Sequence, residues 1–179
     1  MVVFFAIKTI LLLVTLMLAL YHDYREQKIK NYTTFTAAFL GLLINFIEQG
    51  SGGMMFSLKG WIVPVALLVV FYYINVMGAG DIKLFAAIGA IMGLPFALYS
   101  IAYSIYAGGL IALFILLMRK EFKRKMKSVY HYFKYITFTG KLSVYCNKDD
   151  LSSKFIFSAA IVPGTILQLL CQTLSGISG

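Results

Sequence analysis

Runs of apolar residues long enough to cross a bilayer recur along this chain and leave it little else to fold into. Residues 2–21 carry one charge, Lys8, and comparable runs cover residues 60–77, 96–118 and 155–174. A helix needs about 20 such residues to span hydrocarbon. In hydrocarbon every backbone N–H and C=O must find a partner within the chain, so these runs predict helices. Composition agrees: 60% of the 179 residues are hydrophobic and 13% are charged, whereas about a quarter are charged in soluble domains. The expected fold class is all-α, a polytopic membrane helical bundle of about six transmembrane helices, in one membrane-embedded domain over residues 1–179.

The six segments expected are 2–21, 32–47, 60–77, 82–92, 96–118 and 155–174. Gly50-Ser51-Gly52-Gly53 reads as the turn after the second, and Gly93-Leu94-Pro95 as the break between the fourth and fifth. The first run has no basic segment before it and no small-x-small site after it, which reads as a retained span rather than a cleaved signal. A net charge of +9 in a soluble protein would suggest nucleic acid. Here the cations cluster beside apolar spans, which reports orientation and anionic lipid instead. With six spans, Arg25, Lys28, Lys30, Lys83 and the ten basic residues from Arg119 to Lys154 share one side, with Lys8 and Lys59 near the other. The positive-inside rule then puts the N-terminus outside and the basic loop, about 119–153, in the cytoplasm. Phe122, Met126, Val129 and Phe133 recur in that loop at helical spacing, as expected of an interfacial amphipathic helix on anionic headgroups.

The same parity puts Asp23, after the first span, and Asp81, before the fourth, at one membrane face. Ionisable groups at the ends of membrane helices are costly and mark function by default. Two carboxyls brought together cannot both ionise cheaply, so the pair shares a proton. One member then takes a proton from water while the other donates to a carbonyl oxygen, which is the chemistry of peptide hydrolysis without a metal or a covalent intermediate. Gly78 and Gly80 beside Asp81 allow a sharp turn and close approach of backbone, and Lys83 sits where it can tune the field.

Blander roles exist for each residue. Asp81 alone fits a helix cap after a glycine turn, Asp23 alone a solvated interfacial residue, and Lys83 a headgroup contact. Asp149 and Asp150 read as loop and capping residues. His22 has no second histidine near it, Cys146 and Cys171 form no CxxC pair, and HExxH and GxSxG are absent, so neither a metal site nor a serine mechanism is expected.

Gly78-Ala79-Gly80-Asp81-Ile82-Lys83 resembles the GxGDxK motif of type IV prepilin peptidases, among the GxGD membrane aspartyl proteases. Asp23-Tyr24-Arg25 through Ile29-Lys30-Asn31 is similar to that family's first aspartate motif, Asp-x-Arg followed by Ile-Pro-Asn, with Lys30 in the proline's place. Pro163-Gly164 is a weaker echo of an element near the family's C-terminus. The resemblance implies a catalytic dyad of Asp23 and Asp81, with Gly78, Gly80, Lys83, Arg25 and Asn31 shaping the site or binding substrate. It implies cleavage of a prepilin or pseudopilin precursor between a basic leader and an apolar helix, at the cytoplasmic face of the cell membrane. It implies no cofactor. The family's methyltransferase insertion with paired CxxC motifs is lacking, so a peptidase-only form is expected, similar to tight-adherence pilus or preflagellin peptidases. The competing expectation is a non-enzymatic membrane assembly or transport protein whose two acids bind ions or a partner.

Overall fold

The computed structural model describes residues 2–26, 29–74, 77–118 and 157–177. They form six helices: α1 (Val2–Glu26), α2 (Asn31–Gln49), α3 (Ser51–Tyr73), α4 (Ala79–Met92), α5 (Leu94–Met118) and α6 (Ser158–Ile177). The basic loop at about 119–153 and Cys146 lie outside the described residues. The chain clusters into two compact units, Met1–Gly108 with Ile156–Gly179 and Gly109–Phe155; the site described below belongs to the first.

The chain is a helical membrane bundle. Val2–Glu26, Ser51–Tyr73 and Leu94–Phe114 are long and apolar enough to span a bilayer, and Ser158–Leu174 is a shorter apolar helix. Its surface is inverted relative to that of a soluble protein. Ile10, Met17, Phe39, Ile47, Val70 and Phe114 are exposed, while Thr15, Thr34, Asn45, Ser57, Ser104 and Thr165 are buried. Lipid solvates large apolar side chains as well as a protein core does, so small and polar residues move to the helix interfaces. The buried hydroxyls of Thr15, Ser104 and Thr165 donate to the carbonyls of Leu11, Ser100 and Ile161 one turn back, at 2.6–2.8 Å.

At the centre stands α4, about 21 Å long by helical rise and buried at Ile82 and from Leu84 to Met92. It packs on α2 and α3, and α1 packs on α2, α4 and α6. The contact with α3 is backbone against backbone. A Cβ on Gly60 would lie 2.0 Å from the Gly89 carbonyl oxygen, and one on Gly89 would lie 1.9 Å from the Gly60 oxygen. Pro64 lies inside α3 and has no N–H to give the Gly60 carbonyl four residues back, so that oxygen is turned onto Gly89. At the far end of α4 the last carbonyls have no helical donor. The Asn45 amide supplies one to Ala90 and Ile91 at 3.2 and 3.1 Å, and the Ser57 hydroxyl donates to Ala90 at 2.8 Å.

The start of the third helix differs from the sequence expectation. The turn expected over residues 50–53 is Gly50 alone, at φ 60°, and α3 begins at Ser51. Gly53 is helical, and a Cβ there would meet the Asn45 carbonyl oxygen at 1.9 Å, so its missing side chain serves α2–α3 packing rather than a turn. The expected break between the fourth and fifth helices is present and falls on Gly93, at φ 91°. Near the opposite end of α1 from Asp23, buried Lys8 pairs with Glu48 of α2, a contact invisible to sequence reasoning. Exposed tyrosines ring the Asp23 end: Tyr21 and Tyr24 on α1, Tyr32 on α2, and Tyr72 and Tyr73 on α3.

Candidate active site

The inward stripe of α1 runs Lys8, Leu12, Thr15, Leu16, Ala19, His22, a helical face that delivers the next residue, Asp23, to the edge of the bundle. His22 anchors that end. Its Nδ1 donates to the Leu18 carbonyl at 2.7 Å, so its Nε2 accepts from the Tyr32 hydroxyl at 2.9 Å. Both ring nitrogens are thus engaged, Nδ1 within α1 and Nε2 to the start of α2, which gives His22 a structural role. Among the described residues no group of three His, Cys, Asp or Glu is arranged to hold a metal.

Asp81 is the third residue of α4, whose first turn opens at Gly78. Its carboxylate accepts a bond from the Gly78 backbone, the acid's half of a capping box. Gly78 has ordinary extended geometry, φ −75° and ψ 148°. Its missing side chain matters because a Cβ would stand 3.2 Å from Asp81 Oδ2. Gly80 is needed for a different reason: a Cβ there would lie 3.1 Å from Cβ of Ile29. The glycines therefore accommodate the chain's own residues rather than a sharp bend.

The two sequence motifs interlock. Ile29, from the connection between α1 and α2, seats on Gly80, and two residues later the Asn31 side-chain oxygen accepts from Lys83 Nζ at 2.8 Å. This clasp brings Asp23 and Asp81 to one cavity of about 540 Å³, lined also by Glu26, Lys30, Asn31, Gly78, Gly80 and Lys83. Arg25 is not among the lining residues. It is exposed, donates to the Tyr21 hydroxyl at 3.0 Å and lies over that ring. Glu26 and Lys30, which line the rim and pair at 2.6 Å, carry no motif signal and were not foreseen as site residues. Their i, i+4 spacing was the available clue.

Asp81 lies in the first turn of α4, ahead of the segment 82–92 that the sequence reads as a span. Its carboxyl is pushed up to about 6, first by burial and second by the neighbouring charge of Asp23, with the Gly78 bond opposing both. Lys30, in the connection, is raised above the usual lysine range by its bond to Glu26. The cavity thus holds one carboxyl that keeps its proton towards neutrality and a second acid whose charge the first one feels, the requirement for passing protons in two directions at one site.

A family model described as the type IV leader peptidase family matches residues 10–113, more than half the chain and both aspartates. No curated protein and no solved structure matches the chain.

Proposed function

Because the chain belongs to the type IV leader peptidase family, we propose that it is a membrane aspartyl endopeptidase that removes the basic leader from a prepilin or pseudopilin precursor, with Asp23 and Asp81 as its dyad. The observation that carries the reading is the meeting of these two acids, from helices far apart in sequence, at one cavity at one end of the bundle. In this reading the Asp23 carboxylate takes a proton from water as the oxygen adds to the scissile carbonyl carbon. Protonated Asp81 gives its proton to the carbonyl oxygen. The tetrahedral intermediate then collapses: the C–N bond breaks, the proton on Asp23 passes to the leaving nitrogen, and Asp81 recovers a proton from the gem-diol hydroxyl. Atoms and charge balance with water as the sole co-reactant.

Gly78 and Gly80 keep the wall of the cavity backbone-thin, and the Lys83–Asn31 bond holds α4 to the start of α2. Arg25, aimed at Tyr21, acts on headgroups or substrate from outside the cavity. The positive-inside count supports a cytoplasmic site with the N-terminus outside, and anionic lipid as the neighbour of the basic loop. With two cysteines and no CxxC in the sequence, a peptidase without methyltransferase activity is the consistent form.

The test is cleavage of a co-expressed precursor carrying a basic leader, followed by mass. Asp23→Asn and Asp81→Asn each lower cleavage by at least about 10²-fold while the protein remains in the membrane fraction. Retained cleavage with either variant removes the dyad and favours the assembly or transport reading.

A further inference from the structure

The cavity rim carries an ion pair that the proposed chemistry does not use. Asp23, Glu26 and Asp81 line this one cavity, although the chain has only seven acids and a net charge of +9. Asp23 and Glu26 are three residues apart on α1 and so share one side of the helix. Glu26 stands about 4.5 Å further along the axis, at the helix end. Its carboxylate is held by Lys30 Nζ at 2.6 Å, and the two side chains are 49% and 35% exposed. A pair that open to water is weakly held and exchanges partners readily. The rim therefore presents a carboxylate whose occupant is an ammonium group supplied by the chain itself.

Resting on the function proposed above, we infer that Glu26 is a specificity-determining residue that receives an ammonium or guanidinium group of the substrate's leader, and that Lys30 holds its place in the empty enzyme. A peptide lying with its scissile bond over Asp23 and Asp81 and its apolar segment towards the bundle runs its leader out past the end of α1. Glu26 is the next acid on that path. A leader lysine presents the same group as Lys30, so the exchange never leaves the carboxylate without a cation. The released Lys30, already a third exposed, moves into water. A purely architectural role for the pair, bracing the connection between α1 and α2, makes a different prediction, because loss of either member then harms every substrate alike.

The experiment uses purified full-length protein in detergent micelles and three peptides with the same scissile bond and apolar segment, differing only in leader residues: lysine, glutamine or glutamate. The readout is the ratio of kcat/KM between leaders, which a general loss of folded protein does not move. Glu26→Gln lowers the lysine-to-glutamine ratio about two- to fivefold, the range of an exposed ion pair. Lys30→Met raises that ratio, and Glu26→Lys shifts preference towards the glutamate leader. Ratios unmoved by Glu26→Gln and Glu26→Lys overturn the inference, as does an equal slowing of all three peptides by Glu26→Gln and Lys30→Met. Asp23→Asn is assayed beside them. If it cleaves at the parental rate, the dyad fails whatever Glu26 does; if it is inactive while the ratios stay fixed, the Glu26 inference alone fails.

Discussion

Replacing Gly60 by alanine tests the packing that places α4. The added Cβ would lie 2.0 Å from the Gly89 carbonyl oxygen and 2.6 Å from its carbonyl carbon, where ordinary contact begins near 3.4 Å. The obstacle is backbone on a buried helix, so no side chain can rotate aside, and α3 and α4 must separate by about 1.4 Å. Overpacking of this kind costs about 1–3 kcal/mol, and the rigidity of the obstacle puts Gly60→Ala at about 3 kcal/mol. Gly52→Ala in the same helix is the internal control. It meets nothing within 4 Å, so it loses only unfolded-state freedom and stabilises by about 0.4–1 kcal/mol. Trp61, the only tryptophan, adjoins the perturbed contact and reports thermal unfolding by its fluorescence. At about 2–4 °C per kcal/mol, Gly60→Ala melts about 6–12 °C below the parent and Gly52→Ala at or slightly above it. Cleavage falls with Gly60→Ala even below its melting temperature, because α4 carries Asp81. Equal melting temperatures for the two variants would refute the claim that α3 and α4 touch through their backbones.

Raising the pH removes the proton from Asp81. With Asp81 at about 6, kcat/KM declines above about pH 6, and a profile flat to pH 8 contradicts the assignment of Asp81 as donor. The same shift bears on stability. The folded carboxyl titrates above its ordinary 3.8, so between about pH 4 and 6 the folded state holds more protons than the unfolded one, and stability falls as pH rises through that window. Asp81→Asn flattens this slope in melts from pH 4 to 8. Lys8→Met strands the Glu48 carboxylate and lowers stability by about 3 kcal/mol, whereas Lys8→Met with Glu48→Leu recovers most of it; a double variant as unstable as the single one rejects the pairing.

The helical runs and the break at Gly93 were legible because hydrocarbon permits so few backbone arrangements, whereas the third helix, expected over residues 60–77, runs from Ser51 to Tyr73. Which face of each helix is inside was not legible. Leu12 is buried and Leu13 and Val14 are exposed, while Leu84 and Ile88 are buried and Ile105 and Leu110 are exposed. In a bilayer both environments suit the same side chains, so periodicity in apolar residues carries little information. The acids of the site stood out because charge is scarce in such a chain. The pairing of Lys8 with Glu48, and the seat of Ile29 on Gly80, depend on residues about 40–50 positions apart that no local pattern connects. Gly53 misled for the opposite reason, since a glycine that admits a neighbouring carbonyl looks in sequence like one that bends the chain.

The exposed tyrosines at the Asp23 end have a metrological consequence. Tyr24 and Tyr73 are each 77% exposed, and Tyr32 is 60% exposed; phenol rings in such a girdle settle where headgroups meet acyl chains. They moor the protein at a set height, and the cavity with it. On the function proposed above, a peptide anchored by its own apolar segment is gauged against the lipid surface itself, and its point of scission is counted from the edge of the bilayer rather than from either terminus of the peptide.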